Sequence, residues 1–257
     1  MTLTTDFGLS DAYVGVMKGV ILSIAPQAVL VDICHEVPPQ AVSTGAFVLY
    51  QAAPYFPPDT VHLVVVDPGV GSERRAVAVR TQVGTFVAPD NGVLSMVLAD
   101  TPVVESIQLM QPASRLPDIS ATFHGRDVFA PAAAHIAAGA PLISLGTPIS
   151  DLIRIPVLQP ELRLNGDLIA HVIHVDSFGN LILDAMVSQA GRKCRLIVGS
   201  ARIDHLSDTF ADAKPGEPLA YVGSTQDHLE IAIRNGNAAR VLGVRVGDQV
   251  QIQREQE

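Results

Sequence analysis

The first 150 or so residues alternate short, Val-rich runs with longer segments of helical periodicity, and this alternation constrains the fold more than any other feature. The apolar runs are AVLVDIC at 28–34, TVHLVVV at 60–66 and AVAVR at 76–80, and the helix-like segments are 11–25, 41–53 and 128–138. Val-rich runs bounded by turn residues are typical of buried strands. Ser10 or Asp11 is the expected N-cap of the first helix. The pattern therefore predicts an α/β domain with a mostly parallel sheet.

The pattern changes after about Ile155, where Pro156, Pro160 and Asn165-Gly166 interrupt the chain. Short runs of alternating or β-branched residues follow, separated by turn signals, at 168–175, 181–183, 195–203, 219–222, 229–233, 243–246 and 249–253. Such spacing predicts a small antiparallel barrel or sandwich. We therefore predict an α/β domain at 1–157 and a smaller all-β, barrel-like domain at 158–257.

The 257 residues suffice to bury a sizeable core, and their charge argues against some functions. A formal net charge of -9, with three lysines in the whole chain, argues against nonspecific nucleic-acid binding, which needs a basic surface. Two cysteines without a zinc-type Cys/His spacing predict neither a disulfide framework nor a metal site. Prolines break the long uncharged stretches 37–58 and 128–150, and the N-terminus lacks a signal peptide's cationic start. We expect a cytoplasmic protein without membrane spans.

The densest chemical motif is VVVDPGVGSERR at 64–75. An apolar strand ends in Asp67, and a turn that the glycines permit returns Arg74 to the same end, where carboxylate and guanidinium can pair. Arg74 occupies the position of the third glycine in a dinucleotide-binding fingerprint, and no Gly-Lys-Ser/Thr follows, so neither nucleotide-binding motif fits. The alternative interpretation is a structural salt bridge at a turn.

Three more polar side chains lie at the expected ligand-binding edge of the first domain. Asp6 and Asp11 follow the first strand, where a carboxylate can accept two hydrogen bonds from a ribose diol or hold an ammonium group. His124 precedes the helix at 128–138 and is expected to face a cleft near the positive end of that helix. Turn, capping and packing roles are the alternatives.

The second domain has one comparable segment, DSFGN at 176–180. Asp176 and Asn180 flank an aromatic residue and could bind an amino acid head group and a nucleobase edge. The same residue types favour a plain turn. The later segment AYVGS…LEIAIRNGNAA is ambiguous by itself.

Together, six segments resemble the S-adenosylmethionine (SAM) hydroxide adenosyltransferases, the SAM hydrolases related to bacterial fluorinase and chlorinase. They are TTDFGLSDAYVGVMKG, VDICHEVPP, VVDPGVGSERR, TFHGRDVFAPAAAH, VDSFGN and AYVGS…LEIAIRNGNAA, in family order over nearly the whole chain. The resemblance implies an N-terminal α/β domain, a C-terminal β-barrel-like domain, and a homotrimer. It implies that each active site lies between one subunit's first domain and its neighbour's second. SAM is then the substrate, with no separate cofactor.

The resemblance also implies roles for individual residues. Asp67, Arg74 and His124 match the Asp-Arg-His triad of the hydroxide-using branch. The implied substrate contacts are Asp6 for the ribose hydroxyls, Asp11 on the methionine side, Asp176 and Ser224 for the methionine amino acid end, Asn180 for adenine, the backbone around Asn235 and Gly236 for the base, and Glu230 in the same final motif.

The implied reaction converts SAM and water to adenosine, L-methionine and a proton, without a metal. In it, Arg74 stabilises the charge of hydroxide, His124 holds or deprotonates the water, and Asp67 orients both. A SAM-dependent halogenase is an alternative, although Gln40 stands where fluorinase has an aromatic residue and Gly125 replaces a halide-contacting serine. A non-catalytic SAM or adenosine sensor is the alternative outside enzymes, and an unrelated nucleoside hydrolase would release free adenine.

Overall fold

The computed structural model describes residues 1–111, 114–224 and 226–254. The chain divides into two compact units, Met1–Val157 and Leu158–Glu257. Residues 112–113 of the predicted first domain, and 225 and 255–257 of the predicted second, lie outside the described residues. Among the helices of the described ranges, none is both long and apolar enough to cross a membrane.

The first unit is built on one sheet and several helices. Its strands are β1 (Thr2–Thr5), β2 (Val31–Cys34), β3 (Val61–Val65), β4 (Ala76–Arg80), β5 (Thr85–Pro89), β6 (Glu105–Leu109) and β7 (Gly146–Pro148). Its helices are α1 (Tyr13–Ile24), α2 (Val42–Ala52), α3 (Val97–Asp100) and α4 (Ala130–Ala137), with a π-helical turn at Gly125–Phe129 directly before α4. The strand order is β2-β1-β3-β5-β4-β6-β7.

This sheet is mixed, so the prediction of a mostly parallel sheet is wrong for half of it. β2, β1, β3 and β5 run parallel, whereas β4 pairs antiparallel with β5, and β6 and β7 continue the antiparallel half. The segment 81–84 between β4 and β5 is too short for a crossover helix, and it therefore closes a hairpin.

Alternate side chains of the central strand β3 face two apolar layers. Leu63 and Val65 belong to one core cluster together with Met17 and Ile21 of α1. Val64 lies on the opposite face, in a second cluster that includes residues of α2 and α3. Helices thus cover both faces of the sheet, as in α/β domains.

The start of α1 differs from the sequence expectation. The helix begins at Tyr13, the residue at its N-cap position is Ala12, and no side chain caps it. The prediction of Ser10 or Asp11 as N-cap is therefore wrong, because both precede the capping position and are exposed. The Asp11 carboxylate therefore does not cap α1.

The second unit consists mainly of strands. They are β8 (Glu161–Leu162), β9 (Leu168–Val175), β10 (Leu181–Met186), β11 (Cys194–Val198), β12 (Ala201–Ile203), β13 (Leu206–Ser207), β14 (Pro218–Val222), β15 (His228–Ile233) and β16 (Gln249–Arg254), with the short helices α5 (Val187–Ala190) and α6 (Ala238–Leu242). The strand order is β12-β11-β16-β9-β10-β15-β14-β13, and β8 pairs with β9. β12 also lies against β14, so the sheet curls back on itself and is nearly barrel-like.

One predicted strand of the second unit is instead a helix terminus. At 243–246 the chain leaves α6, and Gly243 takes φ +68°, the left-handed conformation that commonly ends helices. Val244 packs into the core of this unit from the turn. Its burial produced the apolar pattern that the sequence analysis interpreted as a strand.

Candidate functional site

Two acidic residues follow neighbouring parallel strands of the first unit. β1 and β3 pair in parallel up to Thr5 and Val65; Asp6 directly follows Thr5, and Asp67 lies two residues after Val65. Because the carboxyl ends of parallel strands lie at one edge of a sheet, both side chains start from the edge where α/β domains bind ligands.

The turn after Asp67 returns Arg74 to the same edge. Since β4 runs antiparallel to β5, its amino end lies at this edge, and Arg74 lies two residues before its first residue, Ala76. Gly71 has φ +78°, and a Cβ atom there would lie 2.5 Å from the carbonyl oxygen of Ala121. Only glycine therefore fits the turn, which packs directly against the segment that leads to His124.

Asp67, Arg74 and His124 form one hydrogen-bonded group. Arg74 Nε donates to both carboxylate oxygens of Asp67 (2.8 and 3.0 Å), and Arg74 Nη2 forms an ion pair with Asp67 Oδ2. The same Nη2 lies 2.9 Å from His124 Nδ1. The side chains of Asp67 and Arg74 are 5% and 10% exposed, and the guanidinium lies over the Phe129 ring at 4.9 Å. Burial and bidentate pairing hold the guanidinium in one orientation.

The contact with Arg74 sets the tautomer of His124. A guanidinium group donates and does not accept, so Nδ1 must be the acceptor and the proton of the neutral ring resides on Nε2. Burial, and then the positive charge of Arg74, lower the pKa of His124 below its ordinary value. At neutral pH the ring is therefore neutral and offers an N–H donor at Nε2.

The π-helical turn after His124 is anchored by a buried carboxylate. Asp127 is 0% exposed, forms an ion pair with Arg126, and accepts a hydrogen bond from the N–H of Ser120 (2.8 Å). π-helical turns are rare and frequently occur at functional sites. Here His124 directly precedes the turn, and Phe129 is the last residue of the turn.

Asp6 and His124 lie on adjacent segments of this edge. The Phe7 ring, next to Asp6, lies 5.9 Å from the Phe123 ring, next to His124. The N–H of Gln40 donates to Asp6 Oδ2 (2.8 Å), so one carboxylate oxygen is already oriented.

In the second unit, Asp176 and Asn180 share one turn. Asp176 Oδ1 accepts hydrogen bonds from the N–H groups of Phe178 (2.9 Å) and Asn180 (2.8 Å), and Asp176 Oδ2 accepts from the Asn180 side-chain amide (2.9 Å). Asn180 is 7% exposed, whereas Phe178 is 75% exposed. The turn interpretation thus describes the local geometry, and the exposed aromatic ring is not part of that hydrogen-bonding.

Glu230 is buried on β15 and accepts a hydrogen bond from the Tyr221 hydroxyl (2.5 Å). Burial raises the pKa of the Glu230 carboxyl, the hydrogen bond from Tyr221 opposes that rise, and the negative charge of Asp176 adds to it. A Cβ atom at Gly223 would lie 2.2 Å from Glu230 Oε1, so glycine leaves the space that this carboxyl fills. The buried carboxyl therefore lies within the electrostatic reach of Asp176.

The remaining predicted contacts of the second unit are exposed residues of turns: Ser224, Asn235 and Gly236. Asn235 has φ +56°, the left-handed conformation of a tight turn after β15.

Three residues that shape the edge of the first unit were not predicted from the sequence, namely Thr5, His35 and Phe129, and Gln40 was singled out only as a difference from fluorinase. His35 and Gln40 lie in the segment after β2, the parallel neighbour of β1. The rule that parallel strands end at one edge could have drawn attention to them. Phe129 could not have been found in this way, because its place under Arg74 depends on the π-helical turn.

Comparisons with known proteins agree with these features. Family models of the SAM hydroxide adenosyltransferase N-terminal and C-terminal domains match residues 1–146 and 170–251. An (R)-S-adenosyl-L-methionine hydrolase from Salinispora tropica is 42% identical over 98% of this chain and 97% of its own. One from Thermus thermophilus is 40% identical over 96% of this chain and 97% of its own.

More distant and structural relatives extend this comparison. A fluorinase from Nocardia brasiliensis is 28% identical over 96% of this chain and 94% of its own. A solved structure of an uncharacterized conserved protein from Thermotoga maritima superposes with a TM-score of 0.92, at 38% identity, over 98% of this chain and 99% of that one. Since family models match most of its length and hydrolases match nearly all of it, the chain belongs to the SAM hydroxide adenosyltransferase family.

Proposed function

We propose that the protein hydrolyses SAM to adenosine and L-methionine. The relatives at about 40% identity over nearly the full length are named as hydrolases of this substrate. In the reaction, a water oxygen forms a bond to C5′, and the C5′–sulfur bond breaks with its electron pair on sulfur. The sulfonium becomes the neutral thioether of methionine, and the water loses one proton.

The observation that carries the proposal is the polarity of the Asp67-Arg74-His124 group. Arg74 and the Nε2–H of His124 can only donate hydrogen bonds, so both can stabilise an oxygen that develops negative charge. Asp67 is the anionic member of the three and is therefore the proposed recipient of the water proton. Of the two roles predicted for His124, this tautomer favours holding the water over deprotonating it.

Substrate recognition is proposed to use the other acidic residues. Asp6 would accept hydrogen bonds from the ribose hydroxyls, with Asp11 near the methionine side. In the second unit, Asp176 and Ser224 would contact the methionine amino acid end, and Glu230 lies in the same final motif as Ser224. Asn180 and the backbone of Asn235 and Gly236 would contact adenine. The homotrimer stays a prediction from the family resemblance.

A SAM-dependent halogenase is the second candidate, because fluorinases are among the relatives. The Asp67 carboxylate argues against it, since it offsets the positive charge of Arg74, and a halide entering a poorly hydrated site would lose its hydration without gaining a net positive charge in return. Water carries no charge and has no such penalty.

Mass spectrometry of the products from SAM, with and without molar chloride, separates the candidates. We expect adenosine and L-methionine in both conditions. 5′-Chloroadenosine would contradict the hydrolase assignment. Binding of SAM without turnover would indicate a sensor, and free adenine would indicate a nucleoside hydrolase.

A further inference from the structure

Three hydrogen bonds join the last residue of β1 and the segment that follows it to the segment after β2. The N–H of Gly8 donates to the carbonyl of His35 (2.7 Å), and the N–H of Gln40 donates to Asp6 Oδ2 (2.8 Å). The third lies between Thr5 Oγ1 and His35 Nδ1 (2.8 Å). Because β1 and β2 are parallel neighbours, both segments leave the sheet at the same edge. Asp6 is thus held against the segment that His35 begins.

His35 is the buried centre of this arrangement. Its side chain is 2% exposed, and its Nε2 lies 3.1 Å from Asp32 Oδ1, without the alignment of a hydrogen bond. Asp32 Oδ2 accepts a hydrogen bond from Lys18 Nζ on α1 (2.6 Å). The imidazole therefore connects β2 and α1 to Thr5, whose hydroxyl oxygen also accepts from the N–H of Phe7 (3.3 Å).

We propose that His35 is a positioning residue for substrate binding, which holds the Asp6 carboxylate in the orientation that binds the ribose diol. This inference rests on the proposed function, in which Asp6 contacts the ribose. Charge-assisted hydrogen bonds depend on direction, so a small rotation of the Asp6 segment weakens them. Gln40 fixes one oxygen of Asp6, and His35 fixes the two segments between which Asp6 and Gln40 meet.

A matched contact at the other end of β1 provides a control. His62 on β3 is 0% exposed, and its Nδ1 lies 2.8 Å from Thr2 Oγ1, the same distance as in the Thr5–His35 pair. Thr2 lies at the amino end of the strand, opposite to the end that Asp6 follows. Loss of either hydrogen bond lowers stability, but only the Thr5–His35 pair supports the Asp6 segment.

The test compares Thr5→Val with Thr2→Val, since valine removes the hydroxyl group and keeps the branched shape. Calorimetric titration with adenosine should show a Kd raised about tenfold in Thr5→Val, the equivalent of one hydrogen bond. The KM for SAM should rise with it, while kcat stays near that of the unmutated protein. In Thr2→Val, Tm should fall and the Kd for adenosine should stay unchanged.

Substitutions of the imidazole provide a second, independent measurement. His35→Ala should weaken adenosine binding as Thr5→Val does. His35→Asn should bind adenosine about as well as the unmutated protein does, because the asparagine amide can occupy the position of Nδ1.

Three other results would contradict the positioning role of His35, and they can be distinguished from one another. An unchanged Kd in folded Thr5→Val and His35→Ala overturns the positioning role and leaves the proposed function intact. Equal increases in Thr2→Val and Thr5→Val also overturn it, because general loosening of β1 would then explain both. If the unmutated protein binds no adenosine, the proposed function fails, and the role of His35 fails with it.

Discussion

The candidate site residues of the two units are charged in opposite ways. In the first unit, Asp67 and Arg74 neutralise each other, and the guanidinium extends to a neutral His124. In the second unit, Asp176 and Glu230 are both acidic, and the charge of one raises the pKa of the other. Among the described residues, no lysine or arginine forms an ion pair with either of these two carboxyls.

This difference indicates a division of work between chemistry and recognition. A paired group is rigid and nearly neutral, which suits the placement of a water molecule beside an electrophilic carbon. Excess negative charge suits a cationic ligand, and SAM carries both an ammonium and a sulfonium group. Under the proposed function, substitutions in the first unit should therefore affect turnover, and those in the second should affect the binding of the charged substrate.

Asp67→Asn should give the largest effect, because it breaks the ion pair between Asp67 and Arg74 in the first unit. Asparagine keeps one acceptor oxygen, but it loses the bidentate pairing that orients Arg74 and the anionic oxygen proposed to receive the water proton. We expect turnover to fall about a hundredfold or more, the range for losing an acid–base contribution, with SAM affinity nearly intact. Single-turnover measurement of adenosine formation checks this.

The matched control is Asp151→Asn, which removes the exposed one of the two ion-pair partners of the neighbouring Arg75 and leaves the other, Asp90, in place. It should leave turnover unchanged. Equal losses in the two variants would mean that any disturbed arginine contact near this turn lowers activity.

Asp176→Asn should have an intermediate effect, on binding alone. Asparagine keeps one acceptor oxygen for the turn and removes the charge. The Kd for SAM should rise about tenfold, since a hydrogen bond to a charged group is worth about 1.5–3 kcal/mol. The Kd for adenosine, which carries no ammonium group, should rise less in parallel titrations, since adenosine is affected only through the acceptor that the Asn180 amide loses. A comparable loss for both ligands would place Asp176 in a structural role.

Glu230→Gln should give the smallest effect, on stability and its pH dependence. The raised pKa means that folded Glu230 keeps its proton at pH values where the unfolded chain has lost it. Stability is therefore lost as the pH rises from the ordinary carboxyl range toward the raised value. Glutamine does not ionise, so the variant should gain about 2–4 °C in Tm relative to the unmutated protein at neutral pH, and nothing at acid pH.

Thermal unfolding across this pH range measures the difference. The control is Glu217→Gln, which replaces a glutamate whose side chain is 54% exposed. An equal gain in Tm in this variant would mean that removal of any carboxylate from this unit has the same effect. A gain in Tm at acid pH as well would mean that burial of the carboxyl, and not its ionisation, is the source.

Local patterns in the sequence predicted the elements that depend on local chemistry. The runs at 60–66 and 76–80 correspond to β3 and β4, and Asp67 and Arg74 meet because glycines permit the turn between them. Local patterns did not predict the direction of every strand, since the pairing of β5, β6 and β7 depends on loop lengths and on residues far apart in the chain.

The contacts of His35 were beyond the sequence analysis for a similar reason. Thr5 and His35 are 30 residues apart, and no local pattern distinguishes a histidine that fixes a loop from one that fills a core. His62 illustrates the difficulty, because it has the same kind of partner at the same distance on the opposite end of β1.

The geometry of the triad depends on how many residues the π-helical turn at Gly125–Phe129 contains, as well as on which residues they are. A π-helical turn holds one residue more than the corresponding α-helical turn, and each residue advances a helix by about 100°. A designer who grafted Asp67, Arg74 and His124 onto a regular helix would therefore keep every side chain of the triad. The histidine and the phenylalanine under the guanidinium would nevertheless be out of register. Copying this site requires copying the extra residue.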